Sequence, residues 1–185
     1  MRETIKKISA PVILGLFIQT LSYASLAYPQ ARPVPYTPFD HKIQTALKIE
    51  LGSVVQNIES GSIQKESIEN LFFRAQRFRY VNEGRKDYWQ SPQETELRGA
   101  GDCEDKAIWL FKKLKENGYY NVFLIIGKYR SVDPQYHVWV SVSDRQGNTL
   151  LLDPATQKRP WSLLAVREGL YRPLYSFDGT QSYKY

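Results

Sequence analysis

The stretch Gly99-Ala100-Gly101-Asp102-Cys103-Glu104-Asp105 contains the only cysteine of the 185-residue chain. Three carboxylates flank this thiol, and negative neighbours raise the pKa of a cysteine, which works against reactivity. The same stretch opens a predicted helix, and the free N–H groups of a helix N-terminus carry a partial positive charge that stabilises a thiolate. The environment of this helix start therefore decides whether Cys103 is inert or reactive.

The predicted nucleophile helix runs from about Cys103 to Glu116. Its apolar face is formed by Ala107, Ile108, Phe111 and Leu114. Asn117-Gly118 is a strong C-terminal stop signal, and Asp102 is the predicted N-cap. The two glycines before Asp102 allow the backbone to bend sharply into the helix. Successive helical residues point about 100° apart, so Glu104 is free to turn away from the sulfur.

A thiolate nucleophile usually works with a histidine, and the chain has two. His41 follows Asp40 near the start of another predicted helix and is interpreted as a surface residue. His137 opens a predicted strand, and a histidine in that position, taken alone, is more often structural than catalytic.

The neighbouring strand strengthens the case for His137. Residues 137–142 and 148–153 are expected to form an antiparallel hairpin around a five-residue loop, Ser143 to Gly147. This register pairs Val142 with Asn148, Val140 with Leu150, and Val138 with Leu152. It also places His137 opposite Asp153, where the carboxylate could orient the imidazole. The alternative is that Asp153 is simply a turn residue before Pro154.

The remaining elements predict an α+β domain. One helix is expected from Asp40 along the stripe Ile43, Leu47, Leu51, Val54 and Ile58, and another from Ser62 to Phe78 with Ile68, Leu71, Phe72 and Ala75 inside. Residues 79–98 are expected to be a loop, with a short helical turn after Ser91-Pro92. Strands are predicted over 120–129, 137–142 and 149–153, and the tail from Tyr171 to Tyr185 is expected to be an edge strand and a loose end.

The N-terminus has the pattern of a secretory signal peptide over residues 1–27. A basic n-region and an apolar run from Ile8 to Leu21 precede Ser25-Leu26-Ala27, a cleavage site of small residues. The apolar run is shorter than the roughly 20 residues of a membrane span. Residues 28–39 then form a proline-rich extended lead-in, and residues 40–185 a single domain.

Charge and cysteine count narrow the function classes. Of the net charge of +6, residues 28–185 keep 22 basic and 18 acidic residues, or +4, without a basic block that would indicate nucleic-acid binding. An exported chain with one cysteine forms no internal disulfide. Cys103 is therefore a buried bystander, an intermolecular link or a nucleophile.

Three segments together resemble the transglutaminase-like superfamily, and most closely its bacterial transglutaminase-like cysteine peptidases. They are YWQSPQETELRGAGDCEDKAIWLFKKL, HVWVSV and LLLDP, within about residues 88–155. The resemblance implies a papain/transglutaminase-like fold of N-terminal helices and a nucleophile helix packed on an antiparallel sheet. It assigns Cys103 as nucleophile, His137 as base and Asp153 as orienter.

Two further roles rest on this resemblance. Trp89 matches the lead tryptophan and is expected in the substrate or oxyanion vicinity, or simply packed beside the site. The adhesin-releasing periplasmic members bind calcium through the acids flanking their cysteine, which here are Asp102 and Glu104. An N-cap and a first-turn acid would explain the same two residues without metal. The Val-Trp-Val after His137 resembles the broader superfamily instead, so the resemblance leaves the substrate open.

The sequence thus predicts a periplasmic or secreted cysteine hydrolase or peptidase that cleaves an amide bond through a Cys-His-Asp triad. Its expected partner is a protein or peptide substrate in the cell envelope or outside, with no nucleic acid and no stable membrane insertion. No cofactor is expected to be required, and calcium is an option. The alternatives are a protein-glutamine acyltransferase with the same triad and a non-catalytic envelope binding module.

Overall fold

The structure is a computed structural model that describes residues 30–48, 66–82, 88–130, 132–163 and 169–185. The predicted signal peptide lies outside these residues. So does the far end of the first predicted helical stripe, from Leu51 to Ile58.

Four helices lie in the described part of the chain. They are α1 (Asp40–Lys48), α2 (Ile68–Arg77), α3 (Pro92–Arg98) and α4 (Cys103–Glu116). The prediction for α4 is confirmed at both ends. The predicted start of α2 at Ser62 is wrong, because Ser67 is the N-cap, with its hydroxyl accepting the N–H of Asn70. The turn predicted after Ser91 is the full helix α3, which a Ser91–Glu94 capping box begins.

Nine strands accompany these helices in the described ranges. They are β1 (Arg32–Val34), β2 (Arg79–Tyr80), β3 (Ala100–Gly101), β4 (Phe123–Tyr129), β5 (His137–Ser143), β6 (Thr149–Leu152), β7 (Trp161–Ser162), β8 (Tyr171–Phe177) and β9 (Ser182–Lys184). Seven of them form one antiparallel sheet in the order β1-β9-β8-β4-β5-β6-β7. The other two, β2 and β3, form a short parallel pair, so the loop predicted over 79–98 is wrong at its first residues.

The C-terminal tail corrects another prediction. Instead of an edge strand and a loose end, β8 is an inner strand between β4 and β9, and β9 also pairs with β1 in the lead-in. Pro173 is unusual in an inner strand, because proline cannot donate to a strand ladder. A register shift between Ile126 and Gly127 of β4 accommodates it, and Gly127 pairs with Pro173 there.

The register of the β5–β6 hairpin differs from the predicted one by two residues. Ser143 pairs with Thr149, Val142 with Leu150, and Val140 with Leu152. The five-residue loop therefore begins at Asp144, whose carboxylate accepts the backbone N–H groups of Gln146 and Asn148. A shift of two keeps every side chain on its predicted face, because the side-chain period of a strand is two.

The sheet separates two apolar layers, as the alternation of its central strands requires. Val138, Val140 and Val142 of β5 join the helices in the larger core. Trp139 points to the opposite face, where it packs with Ile125, Leu151, Leu163 and Tyr171 in a second cluster. Burying each such large side chain contributes roughly 1.5–3 kcal/mol. This packing fixes α4 against β5, the arrangement on which the candidate site depends.

Among the described residues, every helix is too short or too polar to cross a membrane.

Candidate active site

The thiol of Cys103 lies at the first residue of α4, and the residue is buried, with 8 % of its surface exposed. Asp102 and Asp105 form a capping box at this helix start, in which Asp105 Oδ2 accepts the backbone N–H of Asp102 at 3.1 Å. The predicted capping role of Asp102 is confirmed in this form. The sulfur therefore lies at the N-terminal end of α4.

The two glycines before the cysteine serve different purposes. Gly99 ends α3 in the left-handed conformation at φ 58°, which glycine adopts without strain. Gly101 has no such backbone requirement. A Cβ placed on it would lie 2.5 Å from Cβ of Asp105, so Gly101 is needed for close approach and not for the predicted bend.

Asp105 ties the nucleophile turn to the segment before α3. Its fully buried carboxylate accepts the backbone N–H of Gln90 at 2.8 Å on Oδ1 and the Gln90 side-chain amide at 2.6 Å on Oδ2. The sequence analysis assigned no role to either residue. Together with the bond from Asp102, these contacts fix the loop that precedes Cys103.

Trp89 is the neighbour of Gln90 and belongs to the larger core, with 7 % of its surface exposed. Its ring stacks on Phe39 with centroids 5.9 Å apart, and Lys42 Nζ lies 5.7 Å from the ring centroid. The structure thus gives Trp89 a packing role one residue from the Gln90–Asp105 contact.

Glu104 does not turn away from the sulfur, which corrects the expectation for this residue. The thiol of Cys103 donates to Glu104 Oε2 at 3.0 Å. Burial first, and then the charge of Glu104, raise the pKa of Cys103 above its ordinary value. The helix N-terminus does not outweigh these two effects here, and the thiol is protonated in this arrangement.

One contact acts in the opposite direction and connects Cys103 to β5. The backbone N–H of Val138 hydrogen-bonds to the sulfur and lowers its pKa. Val138 is the residue after His137, so the thiol lies beside the peptide that carries the candidate base. This placement follows from the packing of α4 on β5.

His137 and Asp153 form a direct pair, with His137 Nε2 2.7 Å from Asp153 Oδ2. The side chain of His137 is 13 % exposed, whereas that of Asp153 is fully buried. In the observed register Asp153 lies beyond the paired part of β6, so this contact is diagonal and not directly cross-strand. An ionised carboxylate only accepts hydrogen bonds, so the ring nitrogen Nε2 carries a proton and donates it to Asp153.

Burial alone would raise the pKa of Asp153, but hydrogen bonds lower it below its ordinary value. The donors are His137, Thr156 and Tyr171. The charge of Asp153 is thus stabilised by hydrogen bonds from the protein, as a buried carboxylate requires. Gln157 holds the backbone of the same residue, since its Oε1 accepts the Asp153 N–H at 3.0 Å.

Asp102 and Glu104, the acids predicted to bind calcium, lie in contact with each other. Burial and the adjacent Glu104 carboxylate raise the pKa of Asp102 to about 9. Oδ1 of Asp102 is buried without a hydrogen-bond partner in the described part of the chain. A carboxylate oxygen that is buried and has no hydrogen-bond partner suits a hard cation such as calcium, which takes oxygen ligands. The described ranges contain no cluster of three or more histidine, cysteine or acidic residues that could hold a metal, so the pair would need backbone or water ligands besides.

Two residues beside the site were not predicted. Tyr80 on β2 pairs with Gly101, and the partial burial of its hydroxyl raises its pKa to about 12, although 53 % of the residue is exposed. Lys106, one turn after Cys103, is buried with its ammonium 3.4 Å from the carbonyl of Gln76. His41 is exposed on α1, as predicted.

The described site combines a buried cysteine at a helix N-terminus with a histidine–aspartate pair on an α+β fold. No protein-family model and no curated protein match the chain. Solved structures do match, among them LapG from Legionella pneumophila in calcium-bound and EGTA-treated forms. The calcium-bound LapG is 22 % identical, with a TM-score of 0.55, over 78 % of this chain and 74 % of LapG. The EGTA-treated LapG is 23 % identical, with the same TM-score, over 78 % and 73 %.

A likeness at this level of identity is one of fold. It confirms the predicted fold class, a papain/transglutaminase-like α+β fold. The roles of the individual residues rest on the geometry described above.

Proposed function

We propose that the chain is an exported cysteine hydrolase of the transglutaminase-like type, which cleaves an amide bond of a protein or peptide in the cell envelope or outside. Cys103 is the nucleophile, His137 the base and Asp153 the orienter. The observation that carries the proposal is the 2.7 Å bond from His137 Nε2 to Asp153 Oδ2, beside a cysteine at a helix N-terminus. The export rests on the predicted signal peptide.

The first half of the reaction forms a thioester. The thiol of Cys103 passes its proton to Nδ1 of His137, and the sulfur attacks the carbonyl carbon of the substrate. The backbone N–H of Cys103 at the start of α4 donates to the oxyanion. Collapse of this intermediate breaks the C–N bond, and His137 gives its proton to the leaving amine.

The second half releases the acyl group. His137 takes a proton from water, the hydroxide attacks the thioester, and Cys103 leaves as a thiolate that regains the proton. Asp153 holds the imidazole ring throughout and stabilises its charged form. An amine in place of water would give transamidation with the same residues, so the choice of acceptor distinguishes a peptidase from a transglutaminase.

We also propose that Asp102 and Glu104 hold a calcium ion. The buried, unpartnered oxygen of Asp102 and the calcium-bound form of LapG support this proposal. A bound calcium would keep both carboxylates ionised beside the nucleophile.

The function is tested with a peptide library from an envelope protein extract, analysed by mass spectrometry for new amino termini. The wild-type chain is expected to generate new termini, and Cys103→Ala and His137→Gln to generate none above background. His41→Gln is the matched control, because it removes the exposed histidine and is expected to cleave normally. A labelled primary amine in the same mixture separates the two acceptors, since a hydrolase leaves no label on the peptides. Equal cleavage by wild type and Cys103→Ala would refute the proposal.

A further inference from the structure

The carboxylate of Asp153 accepts more hydrogen bonds than the orientation of one histidine requires. Oδ2 accepts from His137 Nε2 at 2.7 Å, from the Tyr171 hydroxyl at 2.8 Å and from Thr156 Oγ1 at 2.5 Å. Oδ1 accepts the backbone N–H groups of Ala155 at 3.0 Å and Thr156 at 3.2 Å. A carboxylate offers about four lone-pair sites, so five donors saturate it.

The two hydroxyls reach Oδ2 from different parts of the fold. Thr156 lies in the turn after β6, whereas Tyr171 begins β8, which is separated from β6 by β4 and β5. The hydroxyls also lie 3.0 Å from each other. The convergence of two distant segments on one oxygen is more than the turn at Asp153 needs, since Oδ1 and the Gln157 contact already hold that turn.

Packing fixes the Tyr171 ring in the position that this bond requires. Tyr171 is 5 % exposed, and its ring lies 5.1 Å from Trp139 and 5.0 Å from Tyr129 between centroids. The ring of His137 is part of the same group, 5.5 Å from Tyr129 and 6.1 Å from Trp139. The Tyr171 hydroxyl therefore has one fixed direction, toward the oxygen that His137 uses.

We propose that Tyr171 and Thr156 are positioning residues that share Oδ2 of Asp153 with His137 and so limit the strength of the His137–Asp153 hydrogen bond. This inference rests on the proposed function, in which His137 must both accept and release a proton. A carboxylate bonded to His137 alone would hold the imidazolium more tightly and hinder the return of the proton. When several donors share Oδ2, each donor interacts with a smaller part of the negative charge on that oxygen.

The test reads the hydrogen bond directly and needs no substrate. The proton on Nε2 of His137 is observed by NMR in the 15N-labelled chain, in a His41→Gln background that leaves one histidine to assign. Tyr171→Phe and Thr156→Val each remove one hydroxyl and keep the shape of the side chain. Thr156→Ser restores the hydroxyl, and Tyr129→Phe removes a hydroxyl from the same aromatic group that is not among the donors to Asp153.

We expect Tyr171→Phe and Thr156→Val each to move the Nε2 proton downfield, and the double variant to move it further. Thr156→Ser and Tyr129→Phe should leave it at the wild-type position. If the Nε2 proton signal stays at the wild-type position in Tyr171→Phe and Thr156→Val, the proposal is overturned. An upfield shift also overturns it, and so does the loss of the signal in a variant that still unfolds cooperatively like wild type. An equal shift in Tyr129→Phe also overturns it, because ring packing would then be the cause.

The peptide-cleavage assay is a separate readout. A chain that cleaves nothing but shows the downfield shifts would refute the proposed function and leave the shared hydrogen bond established. In a cleaving enzyme, Tyr171→Phe is expected to lower kcat about tenfold, the order of one hydrogen bond to a charged group, with KM nearly unchanged. A change confined to KM would contradict a role exerted through His137.

Discussion

At the scale of single residues, the turn into α4 depends on how little space surrounds Gly101. A Cβ there would lie 2.5 Å from Cβ of Asp105 and 2.8 Å from its Oδ2. Asp105 cannot move aside freely, because it holds the backbone of both Gln90 and Asp102. The nucleophile turn is therefore fixed by side-chain contacts as well as by backbone conformation.

Gly101→Ala is expected to lower the free energy of unfolding by about 1–3 kcal/mol, the usual cost of overpacking. It should also shift the NMR amide signals of Gln90 and Asp102. Gly99→Ala is the matched control, because a Cβ at Gly99 has open space around it. Its only cost is the strain of a left-handed backbone, about 1–2 kcal/mol in the free energy of unfolding. Urea unfolding and amide spectra check both variants. Unmoved signals of Gln90 and Asp102 in Gly101→Ala would contradict the role assigned to Asp105.

Residue types and spacing were enough to propose Cys103, His137 and Asp153 as candidates, because each stands at the boundary of a helix or strand with a clear pattern. The same reasoning missed Asp105 and Tyr171. Asp105 is one of several neighbouring acidic residues, and nothing in the sequence shows that it is the buried one. Tyr171 lies 18 residues after Asp153 in the chain, and only the order of the strands in the sheet brings the two together. The contact of Glu104 with the thiol was missed because the 100° step between helical residues sets only the direction in which a side chain leaves the helix. It does not prevent a long side chain from bending back to the sulfur.

At the scale of elements, the candidate base depends on how β4 and β8 fit beside β5. Gly127 of β4 pairs with both His137 and Pro173. A Cβ on Gly127 would lie 2.1 Å from the carbonyl oxygen of Arg172 and 2.6 Å from the Trp139 ring. The close approach of three strands under the His137 ring thus requires glycine.

Gly127→Ala is expected to cost about 3 kcal/mol or more in the free energy of unfolding, because backbone must shift as well as a side chain. It should also move the NMR ring signals of His137. Gly147→Ala, at φ 84° in the hairpin loop with open space around it, should cost about 1–2 kcal/mol and leave His137 unchanged. Equal unfolding midpoints in urea for the two variants would contradict this account.

The turn between β8 and β9 depends on the charge of Asp178. Burial alone would raise its pKa, but bonds from the N–H groups of Gln181 and Thr180 and from the Tyr183 hydroxyl lower it below the ordinary value. A lowered folded pKa stabilises the fold above the unfolded pKa, near 4, and that contribution is lost as the pH falls through the folded value. The turn should therefore weaken in acid.

Asp178→Asn is accordingly expected to be less stable than wild type at pH 7, and the difference should shrink at pH 3. Urea unfolding at both pH values measures it. Asp133→Asn is the control, because its exposed carboxylate is held by one bond, from the N–H of Gln135. A difference between Asp178→Asn and wild type that is the same at pH 7 and pH 3 would show that the charge contributes nothing.

The elements themselves were predicted unevenly, for physical reasons. A continuous apolar run identified β4, and alternation identified β5 and β6. The length of the hairpin loop could not choose between registers two residues apart, because both registers keep each side chain on the same face. The two-residue strands β2, β3 and β7 have too few residues for a periodic pattern to show. The inner position of β8 was missed because the glycine that accommodates Pro173 lies 46 residues earlier in the chain.

At the scale of the whole molecule, the two acids around Cys103 predict a response to calcium. Calcium binding to the native state alone would stabilise the chain by about 2.7 kcal/mol at one hundred times the dissociation constant, roughly 5 °C or more in Tm. Thermal unfolding in calcium and in EGTA measures this change. Asp102→Asn and Glu104→Gln should lose the response, whereas Glu116→Gln at the far end of α4 should keep it. A response that survives in Asp102→Asn would place the ion elsewhere.

The central claim is that the fold brings His137 to Cys103 as its base. The most direct measurement is the rate at which iodoacetamide alkylates Cys103 at pH 7, followed by intact mass in a chain whose single cysteine makes the adduct unambiguous. The wild-type chain and the His41→Gln control are expected to react alike, and His137→Gln and Asp153→Asn to react at least about tenfold more slowly. Equal rates in all four would show that Cys103 is not activated by His137, and would contradict the account.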